Sequence, residues 1–450
     1  MALSVSDLAA RFSGRLLQPT DAGFDEARRV HNGLIDKRPA LVAQARNTAD
    51  IVDAVTLARE SSFEVAVKGG GHNVAGRGTI DGGLLIDLSL MKGIQVDVKN
   101  KTARVQGGAT WKEYNRETQL HGLASTGGVI SSTGVAGLTL GGGLGWLIGK
   151  YGMAVDNLRS VELVTADGKV VTASASENPD LFWALRGGGG NFGVASSFEF
   201  NLHPVGPIVT GGIAAHLFAS GRDVLRYFRD ATASLPDEQT LFAGLVHAPD
   251  GSAKLAALVT CHCGSQKDGE AAARPIKGFG SPVMDVIGPM PYEQVNQLLD
   301  AAYPKGALNY WKANFLTTLS DEAIDIILDR YASVPSPMTA IVIEHFHGAV
   351  TRVGVSDTAF PHRSPGYNFV ITGEWMNPAD TDKNIQWVRE TYDALKPFMA
   401  SARYVNYLEA DAPGDPLSEA YGPNIARLRQ LKAKYDPANF FHVNQNIKPV

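Results

Sequence analysis

The segment Val67-Lys68-Gly69-Gly70-Gly71-His72-Asn73 runs from an apolar stretch through three successive glycines into a histidine. A backbone without Cβ atoms can approach a large anionic group closely and adopt positive φ, so its N–H groups can converge on phosphate oxygens. His72 then holds an imidazole beside whatever those amides grip. Two more glycine tracts follow, Ser125 to Trp146 and Arg186-Gly187-Gly188-Gly189-Gly190-Asn191-Phe192-Gly193. The 48 glycines among 450 residues exceed the usual share of about 7%. They concentrate between 69 and 193, which marks them as ligand-gripping loops and not as a low-complexity tract.

Composition narrows the partners. The formal charge of −5 gives no basic face for nucleic acid or for an anionic membrane. Cys261 and Cys263 are too few for a disulfide framework, and their C-x-C spacing has no second pair to complete a zinc site. They read as reduced, partly buried thiols. Met1-Ala2-Leu3-Ser4-Val5 lacks a basic region leading into an apolar one, and no apolar run approaches membrane-spanning length, so a cytoplasmic protein is expected. Oligomeric state, monomer or homodimer, is left open.

A length of 450 residues suits two or three domains at about 150 residues each. An amphipathic helix is expected from Ser6 to Phe12, and another from Thr48 with Thr48 or Asp50 as its cap. Strands are expected at Phe63–Val67, Leu84–Leu88, Ile94–Asp97, Thr102–Val105 and Ala195–Phe200. Val161–Val164 reads as one more, turning at Asp167-Gly168, and Leu181–Leu185 as a short helix. This order is α+β. It is not a repeated βαβ, and no G-x-G-x-x-G opens a helix, so a dinucleotide fold of the Rossmann kind is disfavoured.

Glycine thins out from about 206, and the character changes near Pro204–Pro207. Helices are expected at 221–233, 266–274, 291–302, 320–333 and 381–398. They alternate with strands at 208–216, 240–247, 255–262, 339–347 and 367–375.

The three glycine tracts stand in one order with Tyr151-Gly152-Met153-Ala154-Val155-Asp156-Asn157. They close with Tyr404-Val405-Asn406-Tyr407 and Tyr435-Asp436-Pro437-Ala438-Asn439-Phe440-Phe441-His442-Val443-Asn444-Gln445-Asn446. This set resembles the berberine-bridge-enzyme-like branch of the vanillyl-alcohol-oxidase (PCMH-type) flavoproteins, and the likeness spans nearly the whole chain. It implies a PCMH-type FAD-binding domain of two small α/β subdomains, from residues 1–205 and 405–450. Residues 206–404 would form a substrate domain, an antiparallel sheet flanked by helices.

By resemblance, His72 carries a covalent 8α-histidyl bond to FAD, and Lys68, Gly69, Gly70, Gly71 and Asn73 hold the pyrophosphate through backbone N–H groups. Gly128, Thr133, Gly134, Gly137, Leu138, Gly141, Gly143, Trp146 and Val194 would surround the cofactor, with Asn444 and Asn446 closing over the flavin ring. Doubly linked members carry a cysteine where this chain has Ile130, so a single link is expected. Gly128 would leave room for O2, and the Thr133 hydroxyl would face it, which favours an oxidase releasing H2O2.

In Ile341-Val342-Ile343-Glu344-His345-Phe346-His347, strand alternation puts Glu344 on the face opposite His345 and His347. In the following strand, Asn368, Val370, Thr372 and Glu374 align, as for a wet pocket. Glu344 is the expected general base, with Tyr407 as its hydrogen-bond partner or a phenolate, and with His347 as a third candidate. For Glu344 the plain alternative is a solvated strand face. His362-Arg363, before a Ser-Pro-Gly turn, reads as structural. The substrate would be a small amine, alcohol or phenolic (polyketide-like) molecule. A dehydrogenase with another acceptor, or a silent flavin-binding protein, are the rival readings.

Overall fold

The computed structural model describes residues 5–450, so most of the N-terminal segment read for a targeting signal, Met1–Ser4, lies outside the described residues. The apolar stretch before His72 forms the strand Val65–Lys68. It lies at one edge of a four-stranded sheet ordered Arg15–Leu17, Leu41–Gln44, Leu84–Asp87, Val65–Lys68. The last three run parallel, and helix Thr48–Glu60 connects Leu41–Gln44 to Val65–Lys68. Its cap is Asn47, whose side chain accepts from the Asp50 N–H at 2.9 Å. Asp50, one of the expected caps, is buried and accepts instead from the N–H groups of Ser13 and Arg46.

A five-stranded antiparallel sheet follows, ordered Ile94–Asp97, Thr102–Gln106, Val194–Asn201, Leu158–Val164, Val170–Ser174. The Asp167-Gly168 turn joins its last two strands in register Val164↔Val170, with Gly168 at φ +79. The C-terminal segment returns to this layer. Val405, Leu408, Tyr421, Leu428 and Ile447 pack in one core with Trp111, Phe198 and Phe200.

The middle of the chain builds an eight-stranded antiparallel sheet. Its order is Met284–Asp285, Ile208–Leu217, Lys254–His262, Gln239–His247, Ala340–Phe346, Gly366–Trp375, Leu308–Leu316, with Gly288–Pro291 also on Ile208–Leu217. Helices Gly221–Thr232, Asp321–Ala332 and Thr381–Leu395 cover the face bearing Ile341, Ile343, Phe369 and Ile371. On the other face, Phe242, Phe315 and Phe346 pack with Trp146 and Tyr404, which come from the glycine-rich and C-terminal segments. The sheet is thus a slab between a helical layer and the loops around His72.

Two of the departures from expectation bear on the site. Leu308–Leu316 is an unanticipated strand, because Lys312 and Asn314 sit inside it yet are buried. The helix expected at 291–302 breaks into Tyr292–Val295 and a 3-10 turn at Asp300–Ala302. Between them, the buried Asn296 side chain reaches away to donate to the Gly128 carbonyl at 2.6 Å. Cys261 and Cys263 are buried free thiols. No helix among the described residues is long and apolar enough to cross a membrane.

Candidate active site

A deep cavity opens where the glycine loops meet the face of the slab turned away from the helices. Lys68, Gly69, Gly70, Gly71, His72 and Asn73 line one wall. Gly128, Thr133, Gly134, Gly137, Leu138 and Gly141 line another, and Asn444 and Tyr407 come from the C-terminal segment. The two glycine loops touch through backbone alone: a Cβ on Gly70 would lie 2.4 Å from the Gly134 nitrogen. A Cβ on Gly137 or Gly190 would meet nothing within 4 Å, so these two glycines face open space.

The Lys68 side chain turns inward, to the Ala27 carbonyl and to Asp87 at 3.3 Å, leaving its backbone at the cavity. The His72 ring lies 2.9 Å (Nε2) from Ser132 Oγ and stacks on His31 with centroids 4.0 Å apart. Loss of solvent, with His31 and Lys305 nearby, pushes the His72 pKa down to about 3. The imidazole is therefore neutral at physiological pH and keeps a lone pair for bonding. Ile130 also lines the cavity and offers no nucleophile.

Four residues expected around the cofactor, Gly143, Trp146, Val194 and Asn446, do not line this cavity. Gly143, at φ +90, donates its N–H to Tyr404 Oη at 2.9 Å, alongside Leu144 N–H at 3.3 Å and Asn406 Nδ2 at 2.9 Å. Trp146 packs on Phe242 and donates to the Val129 carbonyl. Val194 is buried in the apolar core, and its neighbour Ala195 lines the cavity. Asn446 lies outside the lining.

At the slab, Tyr407 and Trp311 face the cavity in an edge-on pair with centroids 6.1 Å apart. Glu344 lies behind Tyr407. It is 4% exposed, which removes the solvated-face alternative. Tyr407 Oη donates to Glu344 Oε1 at 2.9 Å, and Asn368 Nδ2 donates to Oε2 at 2.6 Å. Burial raises the Glu344 pKa to about 7, against the two donors. Burial, reinforced by the Glu344 charge, raises Tyr407 well above the usual phenol value.

His347 does not join this group. Its ring stacks on His345 on the other face of the strand, and Nε2 meets the Pro236 carbonyl at 3.4 Å. Strand alternation is the physical reason, since it turns the two side chains to opposite faces. His362 and Arg363 are structural: Arg363 forms a buried pair with Asp156 at 2.8 Å.

Sequence reasoning missed Trp311, Ser132, His31 and Arg77. Only Arg77 carried a local signal, standing four residues after Asn73, whose Oδ1 accepts its N–H at 3.1 Å. Arg77 Nε and Asn444 Oδ1 are buried at the cavity without partners. The orphaned Arg77 Nε is a donor that a phosphate oxygen would satisfy, and the orphaned Asn444 Oδ1 is an acceptor for a ligand N–H or O–H, which fits a large ligand bearing both kinds of group.

Residues 39–174 match the family model of an FAD binding domain, and residues 403–448 match one described as berberine and berberine like. The chain is 34% identical over 416 residues to an FAD-linked oxidoreductase of Dictyostelium discoideum, covering 92% of this chain and 89% of the relative. It is 30% identical to (R)-6-hydroxynicotine oxidase of Paenarthrobacter nicotinovorans, covering 97% of each. This chain belongs to the berberine-bridge-enzyme-like FAD-linked oxidoreductases. Among solved structures of these flavoproteins, 6-hydroxy-D-nicotine oxidase from Arthrobacter nicotinovorans superposes with a TM-score of 0.90 at 28% identity over all of both chains. The protein is accordingly an FAD-dependent oxidoreductase.

Proposed function

We propose that the protein is an oxidase of a small organic alcohol, amine or phenolic substrate, with Tyr407 and Glu344 as a two-step proton relay. Residues 1–205 and 405–450 would hold the cofactor, and 206–404 the substrate. Bound FAD supplies a hydride acceptor and, with O2, the route to H2O2. The remaining chemistry falls to the chain. The observation carrying the reading is the hydrogen bond from Tyr407, at the cavity wall, to the buried carboxylate of Glu344.

Because Tyr407 keeps its proton and Glu344 titrates near neutrality, a phenolate is not the resting base. As the substrate O–H or N–H gives its proton to Tyr407 Oη, Tyr407 passes its own to Glu344 Oε1. Protons balance, and no charge is left on the phenol. The working form has Glu344 ionised, so kcat/KM should fall as pH drops through about 7. A pH profile measured over about pH 5–9 checks this, and a profile flat across neutrality would overturn the relay.

Trp311, Val129 and Ile130 give this end an apolar, aromatic lining, which supports planar or apolar substrates over carbohydrates. The direct test is a panel of amines, secondary alcohols and phenols under air. Peroxide formed in proportion to substrate supports the oxidase. Turnover only with an artificial acceptor favours a dehydrogenase. Thr133 and Gly128 line the same wall, a small residue beside a hydroxyl, which supports the oxidase reading.

His72 would carry the single covalent link, its neutral ring lying at the cavity wall. In His72→Ala, yellow colour is expected to leave the protein on acid precipitation, whereas the unaltered chain retains it. Colour lost from both would sink the covalent link without touching FAD binding.

A further inference from the structure

Asn368 stands opposite Glu344 across the strand pair, in register Glu344↔Asn368. Its side chain is fully buried, and Nδ2 donates to Glu344 Oε2 at 2.6 Å while Oδ1 has no partner. The two oxygens of Glu344 are thus divided: Oε1 belongs to Tyr407 and Oε2 to Asn368. An amide nitrogen can only donate, so it favours the carboxylate over the neutral acid. The titratable groups that sense Glu344 are Tyr303, Tyr404 and Tyr407, none of them cationic. Among the described residues no cation pairs with this carboxylate, and its ionised form is favoured by two donors, first the Asn368 amide and then the Tyr407 hydroxyl.

We propose that Asn368 is a positioning residue that keeps Glu344 in its proton-accepting form and fixes Oε1 toward Tyr407. This rests on the reading of Glu344 and Tyr407 as a proton relay. The arrangement serves both states of the relay. When Glu344 accepts the proton of Tyr407 on Oε1, that new O–H points back at the phenol oxygen, and Oε2 still accepts from Asn368. Nothing has to rotate between turnovers.

The test uses the FAD-loaded protein with a turnover substrate from the panel. Asn368→Leu keeps the branched shape and removes the donor. The acid limb of its kcat/KM profile should move up by about one pH unit, with kcat at the alkaline plateau changed far less than in Tyr407→Phe. Asn368→Asp places a second carboxyl against Glu344 and should move the limb further in the same direction. A second readout needs no turnover: the infrared band of the protonated Glu344 carboxyl, assigned by its loss in Glu344→Gln, should titrate at higher pH in both variants. A limb and a band that stay where they are in Asn368→Leu overturn the positioning role. A limb and band absent already from the unaltered protein overturn the relay instead. If Asn368→Leu does not fold, Asn368→Asp gives the same two readouts.

Discussion

Tyr407→Phe is expected to slow substrate oxidation by about 10²–10⁴-fold, the range for removing a positioned proton-transfer group. The phenol is the one member of the pair that lines the cavity. Glu344 is screened behind it and reaches the substrate only through that hydroxyl. Phenylalanine keeps the ring and its edge-on contacts with Trp311 and Tyr404, so the cavity shape should survive. Rapid-mixing measurement of flavin bleaching without O2 isolates this step from reoxidation. FAD content and the visible spectrum should be unchanged, because phenylalanine keeps the ring at the cavity and removes only a hydroxyl that is bonded to Glu344. The acid limb near pH 7 should vanish with the hydroxyl, since Glu344 is then disconnected from the substrate. A slowing below about tenfold, or a limb that persists, would mean that the proton leaves by another route.

Much of this site was legible because its determinants are local. Contiguous glycines dictate close backbone approach wherever they fall, and His72 is fixed by its place at the end of such a run. The period of two puts Glu344 and His347 on opposite faces, so the pattern itself argues against His347, although that residue is among the candidates. What stayed hidden depends on partners far away in the chain. Trp311 lies on a strand whose interior lysine and asparagine argue against burial until their partners are known. Lys312 meets Glu409, and Asn314 donates to Tyr392 Oη at 3.1 Å. Likewise, nothing local in Asn296 says that its side chain will leave the helix for the Gly128 carbonyl. The positions of Gly143, Trp146 and Val194, one layer back from the cavity, follow from packing that the glycine pattern does not encode.

Glu409→Gln is expected to destabilise the protein by about 3–5 kcal/mol, the range for breaking a buried ion pair from one side. Glu409 Oε1 lies 2.5 Å from Lys312 Nζ, and Oε2 pairs with Arg403. The side chains are 7%, 3% and 3% exposed for Lys312, Glu409 and Arg403, so water cannot replace a lost partner. Lys312 also lies over the Tyr392 ring at 5.0 Å and Arg403 at 5.7 Å, which holds both cations in place. Glutamine preserves the shape and some hydrogen bonding but removes the one negative charge between two positive ones. The midpoint of guanidinium unfolding at fixed pH reads the effect. A loss under about 1 kcal/mol would class the triad with exposed pairs. Replacing all three residues by apolar ones of similar size should recover most of the loss, since the cost comes from stranded charge and not from absent attraction. The site would feel the single change as well. Arg403 and Glu409 bracket Tyr404 and Tyr407, and Lys312 is the neighbour of Trp311, so this ion cluster ties the edge strand to the segment that carries the relay. In Glu409→Gln the oxidation rate should therefore fall at temperatures where the fold is still intact, with Tyr407 less firmly held against Glu344.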